Sequence, residues 1–346
     1  MPATKTKALI FRAVLALIVI GLFFWSSPKN RILTVDGGFR MTMGTIARIL
    51  VTAENPDQAN QAISAAFDKI FHIEKLMSDY DPESQLSQVN QNAFENPVQV
   101  DAELFEVLTT AKAYSCLSNG AFDVTIGPVV QLWRKAKEDN ITPAAGALKK
   151  AKAAVGYENL ILDTENKTVQ FAREGMFLDL GGIAKGYAID TAIEILQAGG
   201  VKGAMVDIGG DLRCFGTPAN GKEHWLIGLQ DPTAEEEKTL LTLKLDNMAV
   251  ATSGDYRRFF IIDDIKHSHI VNPATADSAN DLSSVSLIAP TAMAADALAT
   301  AVTVLGSEKG LDLINKTETA EAILIQSDQP GQFITSTNAD PYIQKQ

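Results

Sequence analysis

The chain has 346 residues, 46% hydrophobic and 21% charged, the composition of a soluble globular protein large enough for one big domain or two ordinary ones. Its formal net charge is −12, and discounting Lys5, Lys7 and Arg12 of the N-terminal stretch leaves −15 on the body. Such a surface repels nucleic acid and anionic lipid, so any anionic ligand needs backbone donors, a cation or a metal at its site.

Residues 1–25 join a basic stretch ending at Arg12 to an apolar run from Ala13 to Trp25, the pattern of an export signal. The run is short for a bilayer span, no small-x-small cleavage site follows Phe23-Phe24-Trp25-Ser26-Ser27, and no nearby cysteine can carry a lipid. We read it as a signal or uncleaved anchor that places the folded part outside the cytoplasm. Residues 26–36 read as a tether.

From Phe39 to Val51 alternating apolar residues predict a strand, broken at Met43-Gly44-Thr45. Asp57 to Met77 has helical periodicity through Ala62, Ala66, Phe67, Ile70, Ile73 and Leu76. Asp101 to Leu117 reads as a second helix, and Ser78 to Ser84 between them as a polar turn. Gly120 and Pro128 bracket an apolar run whose only charge is Asp123. That carboxylate either meets a ligand or caps a helix beginning near Ile126, and capping is the commoner use. Ala144 to Val155 is Ala/Lys-rich and reads as a surface helix.

Between Leu160 and Asp211 the pattern is two strands, a Gly-rich turn, a helix, a strand and a Gly-Gly turn. Within it, Phe177-Leu178-Asp179-Leu180-Gly181-Gly182-Ile183-Ala184-Lys185-Gly186 reads as a short strand ending in two glycines at a helix start. Backbone N–H groups there can face an anion with Lys185 adding charge, and a turn that needs glycine for tight packing explains it equally well. The spacing is neither a Walker A nor a Gly-x-Gly-x-x-Gly match. Gly209-Gly210 suits a tight hairpin. Leu226–Gln230, Leu240–Leu245, Phe259–Ile262 and Ser284–Ile288 are further strands.

Strand alternation would put His267 and His269 on one side, as a general base or a metal pair; with four histidines and no third ligand we discount zinc. Cys116 and Cys214 allow one disulfide at most and have no metal-type spacing. The predicted helix at 291–305 carries a single charge, Asp296, with Thr300 four residues on and therefore on the same face. A carboxylate among alanines must be paired, hydrogen-bonded or bound to a cation, unless it faces water. Two oxygen donors on a rigid face suit a hard cation such as Mg²⁺. A mixed region follows to about Thr335, and the tail, residues 339–346, is expected to fray.

Taken in order, eight segments resemble the FAD:protein FMN transferase (ApbE) family over about residues 40–306. They are Met43-Gly44-Thr45, Met77-Ser78-Asp79-Tyr80, Gly120-Ala121-Phe122-Asp123, Leu178 to Gly186, Val206 to Asp211, Ser253-Gly254-Asp255-Tyr256-Arg257-Arg258, His269-Ile270-Val271-Asn272-Pro273 and Ala294 to Thr300. The resemblance implies an α+β, single composite T-fold-like catalytic domain over 37–338, with mixed and antiparallel sheets and packed helices, behind an N-terminal membrane anchor or signal. It implies a Mg²⁺-dependent enzyme that splits FAD and passes FMN to a Thr or Ser hydroxyl of an acceptor protein, releasing AMP. Met43, Tyr80, Ala121, Phe122, Asp123, Asp179, Lys185 and Ile270 would contact FAD; Asp296, Thr300 and the Gly182 carbonyl would hold the metal; His269 matches the catalytic histidine. The implied acceptor is a membrane electron-transfer subunit, and the implied location is the periplasmic side of the inner membrane. Two departures stand out: Ala299 replaces an acidic residue that some members carry before the metal-binding Thr, and the lipid-carrying cysteine of many members is missing. The alternatives are an FAD pyrophosphatase giving FMN and AMP, and a non-catalytic flavin-binding protein.

Overall fold

Alternating residues from Leu33 onward form an antiparallel hairpin, β1 (Leu33–Thr42) and β2 (Thr45–Ala53), closed at Met43 and Gly44 with φ of 49° and 68°. Two successive positive φ values are the demand of a primed two-residue turn, which matches strand twist. The computed structural model describes residues 32–345 except 220, 233–237, 255–258, 263–264, 328 and 330. The export signal or anchor read at 1–25, and Asp255 to Arg258 of the sixth family segment, lie outside the described residues. No helix among those described is long and apolar enough to cross a membrane. Residues 33–36, expected to be tether, are strand instead, and Asp36 ties that end down by accepting from Arg48 at 2.7 Å.

Helix α1 (Pro56–Met77) starts where the Asn55 side chain accepts from the Asp57 and Gln58 amides, and it buries Ile63, Phe67, Ile70 and Ile73. A short helix that periodicity did not reveal, α2 (Gln85–Asn92), is capped by Ser84. There follow β3 (Val98–Gln99), α3 (Ala102–Leu117), α4 (Gly127–Asp139) and α5 (Ala145–Ala153), then the hairpin β4 (Leu160–Asp163) and β5 (Thr168–Phe171), to which β3 adds an edge. The strand expected over Phe177 to Leu180 does not form, apart from one bridge between Phe177 and Ile126. The Asn90 side chain takes both backbone groups of Leu178, at 2.7 and 3.0 Å, so no partner strand is needed.

The remaining elements are α6 (Ala184–Ala198), β6 (Gly203–Ile208), β7 (Asp211–Gly216), β8 (Trp225–Gln230), β9 (Thr239–Leu245), β10 (Ala249–Gly254), β11 (Phe259–Ile262), β12 (Ile265–Ser268), β13 (Leu282–Ala289), α7 (Ala292–Asn315), β14 (Glu321–Gln326) and β15 (Ile334–Thr335). Eight strands form an antiparallel sheet in the order β1-β2-β6-β7-β10-β13-β14-β15. Alternation sends Ile49, Val206, Ala251, Leu287 and Leu324 to one face, where α1, α6 and α7 cover them. Leu212, Val250, Ile288 and Ile323 point to the other face, against Trp225, Leu241 and Leu243 of the β8–β9 hairpin. The fold is therefore α+β with antiparallel sheets, as expected.

The described part of the tail docks on the body. Ile343 bridges Leu243, the Gln344 amide donates to Thr242 O at 2.8 Å, and Tyr342 packs on the same apolar cluster. Helix α7 runs ten residues past the expected end, with a break at Gly306 (φ 77°). Both cysteines are free thiols.

Candidate active site

A cleft of about 1850 Å³ opens between the turn at 78–80, α4, the segment 179–185, α7 and the outer face of the large sheet. All twelve residues singled out above line it: Met43, Tyr80, Ala121, Phe122, Asp123, Asp179, Gly182, Lys185, His269, Ile270, Asp296 and Thr300. Its volume exceeds the ~300–1,000 Å³ of an ordinary ligand pocket.

At the deep end, α6 crosses α7 closely enough that a Cβ on Gly186 would lie 2.5 Å from Met293 Cα. This close approach brings Lys185 to Asp296. The carboxylate is 4% exposed and accepts from Lys185 Nζ at 3.3 and 3.4 Å and from the Gly186 amide at 3.2 Å. Lys185 also pairs with Asp211, whose other oxygen accepts from the Thr252 amide at 3.0 Å. Burial pushes the Asp296 carboxyl up to about 6, with the Lys185 charge opposing. Burial also works against the Lys185 ammonium, but its two carboxylate partners outweigh that and hold it above the usual lysine range. Two buried carboxylates thus share one ammonium, which leaves the pair a net negative site. Thr300 stands one turn along α7, and a Cβ on Gly182 would fall 2.8 Å from its Oγ1 and 3.3 Å from the Phe122 ring. Only glycine lets the backbone come this close. Carboxylate, hydroxyl and backbone carbonyl are hard oxygen donors, the set a Mg²⁺ ion takes.

Toward the rim, Asp179 accepts from the Gly181 amide at 2.8 Å and from Arg134 at 2.7 Å. Burial raises its pKa; Arg134 opposes the rise and nearby Asp79 adds to it. Arg134 pairs with Asp79 as well, and its guanidinium carbon lies 4.5 Å from the centre of the Tyr80 ring. Met43 sits at the hairpin turn, where its amide donates to Glu74 at 2.6 Å. His269 is exposed just beyond β12, and the next residue, Ile270, is buried.

Two readings are corrected here. Asp123 does not cap α4, whose start carries no side-chain cap. Its oxygens accept instead from the Thr125 amide and hydroxyl at 2.8 and 2.7 Å and from the Tyr157 amide at 3.0 Å, and burial raises its pKa. His267 and His269 do not share one side of a strand, because the strand ends at Ser268. The His267 ring lies 4.8 Å from the Trp133 ring, outside the cleft lining. Sequence reasoning missed Arg134, Glu74 and the partnership of Asp211 with Lys185. Asp79 within the second family segment was the one local hint of a cationic partner.

A sequence model of the ApbE family matches residues 43–324. The FAD:protein FMN transferase of Haemophilus influenzae is 33% identical over 328 residues, covering 90% of this chain and 91% of the relative. That of Vibrio cholerae is 30% identical over 308 residues, covering 88% and 91%. Among solved structures, the ApbE protein of Thermotoga maritima matches with a TM-score of 0.81 at 30% identity, over 91% of this chain and 100% of that one. The flavin transferase ApbE of Vibrio cholerae matches with a TM-score of 0.81 at 28% identity, over 90% and 99%.

Proposed function

The chain belongs to the ApbE family, and on that premise we propose that it splits FAD and transfers the FMN half to a Thr or Ser hydroxyl of an acceptor protein, with AMP as the leaving group. The observation that carries the proposal is the deep end of the cleft, where Lys185 pairs with Asp296 and Thr300, one turn along the same helix, packs on Gly182.

Asp296, Thr300 and the Gly182 carbonyl would hold a Mg²⁺ ion, in keeping with their oxygen chemistry and with the charge imbalance of two carboxylates on one ammonium. When bound, the ion neutralises charge on the phosphate oxygens. Lys185 supplies a second positive charge next to that position, so a pyrophosphate is accepted by a strongly acidic protein. Phe122 lies against Gly182, Asp179 is tied through Arg134 to Tyr80, whose ring offers a stacking face, and Ala121 and Ile270 line the same cleft. His269, at the exposed edge of the same cleft, takes the proton of the acceptor hydroxyl. The hydroxyl oxygen then bonds to the FMN phosphorus, the bond from that phosphorus to the bridging oxygen breaks, and AMP leaves with the bridging oxygen. The size of the cleft supports a site that holds a dinucleotide and an acceptor segment together. We further propose that the N-terminal segment keeps this domain at the periplasmic side of the inner membrane, near an electron-transfer subunit that serves as acceptor.

The test is intact-protein mass spectrometry of a purified electron-transfer subunit with an exported Thr-bearing loop, after incubation with the full chain, FAD and Mg²⁺. A gain of one FMN moiety with AMP released, abolished by EDTA, is the expected result. Unmodified acceptor with free FMN and AMP would replace transfer by hydrolysis, and intact FAD throughout would overturn the enzymatic reading. His269→Ala should bind FAD and transfer slowly; unchanged kinetics would remove it from the mechanism.

A further inference from the structure

Arg134 joins three separate pieces of chain. It projects from α4, pairs with Asp79 in the turn that follows α1, and donates to Asp179 at 2.7 Å in the segment that leads to Gly182. Its guanidinium carbon stands 4.5 Å from the centre of the Tyr80 ring, and Tyr80 is the residue after Asp79. The Asp79 and Asp179 side chains are only 11% and 10% exposed, so without the guanidinium two carboxylates would face each other with no shared counter-charge. The turn itself is laced by Ser78, whose hydroxyl accepts from the Tyr80 and Asp81 amides, both at 3.2 Å. Tyr80 is nevertheless 75% exposed and lines the cleft, which leaves ring surface available for stacking.

We propose that Arg134 is a positioning residue that backs the Tyr80 ring, so that the ring presents a fixed platform to a planar heteroaromatic ring of the substrate. A planar guanidinium suits this double task, because its several N–H groups can donate to two carboxylates while its charge lies over the phenol ring. A lysine ammonium has the charge without the plane and cannot do both. FAD carries two rings that could use the platform, the isoalloxazine and the adenine, and the chemistry of stacking accepts either. The proposal rests on FAD being the substrate.

The experiment is a titration of the full chain with FAD in Mg²⁺ without acceptor, followed by quenching of flavin fluorescence. It compares wild type with Arg134→Lys, Arg134→Met, Tyr80→Leu and the double variant Tyr80→Leu/Arg134→Met. Arg134→Met should weaken FAD about tenfold, and Arg134→Lys should recover little of it. The double variant should lose far less than the product of the two single losses, because the part of the Arg134 effect that runs through the ring has nothing left to act on once the ring is gone. Separate titrations, with FMN by the same signal and with AMP by calorimetry, assign the platform: loss confined to FMN places the isoalloxazine on Tyr80, and loss confined to AMP places the adenine there. Unchanged affinity of Arg134→Met for all three ligands, or losses that multiply in the double variant, would overturn the proposal. These readouts need no turnover, so a wild type that binds FAD but transfers nothing would refute the transferase and leave this inference standing. A wild type that binds no FAD would refute both.

Discussion

Gly186→Ala should damage the site more than the fold. The new Cβ would lie 2.5 Å from Met293 Cα and 2.6 Å from the Ala292 carbonyl carbon, with the Ala292 oxygen closer still. All three are backbone atoms, so no side chain can rotate out of the way. Ordinary contact begins near 3.4 Å, and the two helices would have to part by about 0.9 Å. Opening the crossing also stretches the latch in which Asp190 of α6 accepts from the Ala292 and Met293 amides, both at 2.9 Å, and from Arg213 at 2.8 Å. Overpacking against rigid atoms costs up to about 3 kcal/mol. At roughly 2 °C per kcal/mol for a domain of this size, the melting temperature should fall by about 6 °C. Because α7 carries Asp296 and Thr300 while Lys185 stays with α6, the same displacement separates charges that must converge on one pyrophosphate. A misplacement near 1 Å can cost ~100-fold in rate, so kcat/KM for flavin transfer should fall by that order while the far-UV circular dichroism keeps its native shape. A melting temperature within about 1 °C of wild type together with kcat/KM within about threefold would refute both the crossing and its link to catalysis.

Gly182→Ala would put a Cβ 2.8 Å from Thr300 Oγ1, and Mn²⁺ affinity read by electron paramagnetic resonance should drop at least ~10-fold with a smaller loss of stability than Gly186→Ala. Equal Mn²⁺ affinity would remove Gly182 from the metal site. For Asp296 the folded pKa is raised, from 3.8 to about 6. The stability tied to its neutral form is therefore complete below pH 3.8 and is lost as pH rises through about 6. With metal chelated, melting temperatures of Asp296→Asn should lack the part of the decline between pH 4 and 7 that wild type shows, and parallel curves would contradict the burial argument. Finally, Cys116 is exposed, whereas Cys214 has no exposed surface and its thiol is pushed up to about 12 by burial. Ellman's reagent at pH 8 should titrate one thiol in the native protein and both in denaturant, and rapid native reaction of two thiols would show that Cys214 is not enclosed.

Where a signal is local, it was readable. Helices α1 and α3 follow from apolar spacing, the β6–β7 hairpin from Gly209-Gly210, both at positive φ, and the Asp296–Thr300 face from a spacing of four. Where a backbone group finds its partner far along the chain, local pattern misled. The run Phe177 to Leu180 looks like a strand, yet Asn90, 88 residues away, satisfies Leu178 in place of a neighbour. Helix α2 is short and polar, and its only mark is the Ser84 cap. Asp123 had the position of a helix cap, but the Tyr157 amide, 34 residues on, competes for its carboxylate. The site's electrostatics lie at the far end of this scale. Arg134 meets partners 55 and 45 residues away, and Lys185 meets Asp296 across 111. No periodicity reports such pairings, since each charge taken alone resembles a solvated one. What the sequence did carry was the order of eight short segments, and residues from each of the eight line the one cleft. Arg134 lies outside all eight, and its role became visible only when the fold set the guanidinium between two carboxylates and an aromatic face.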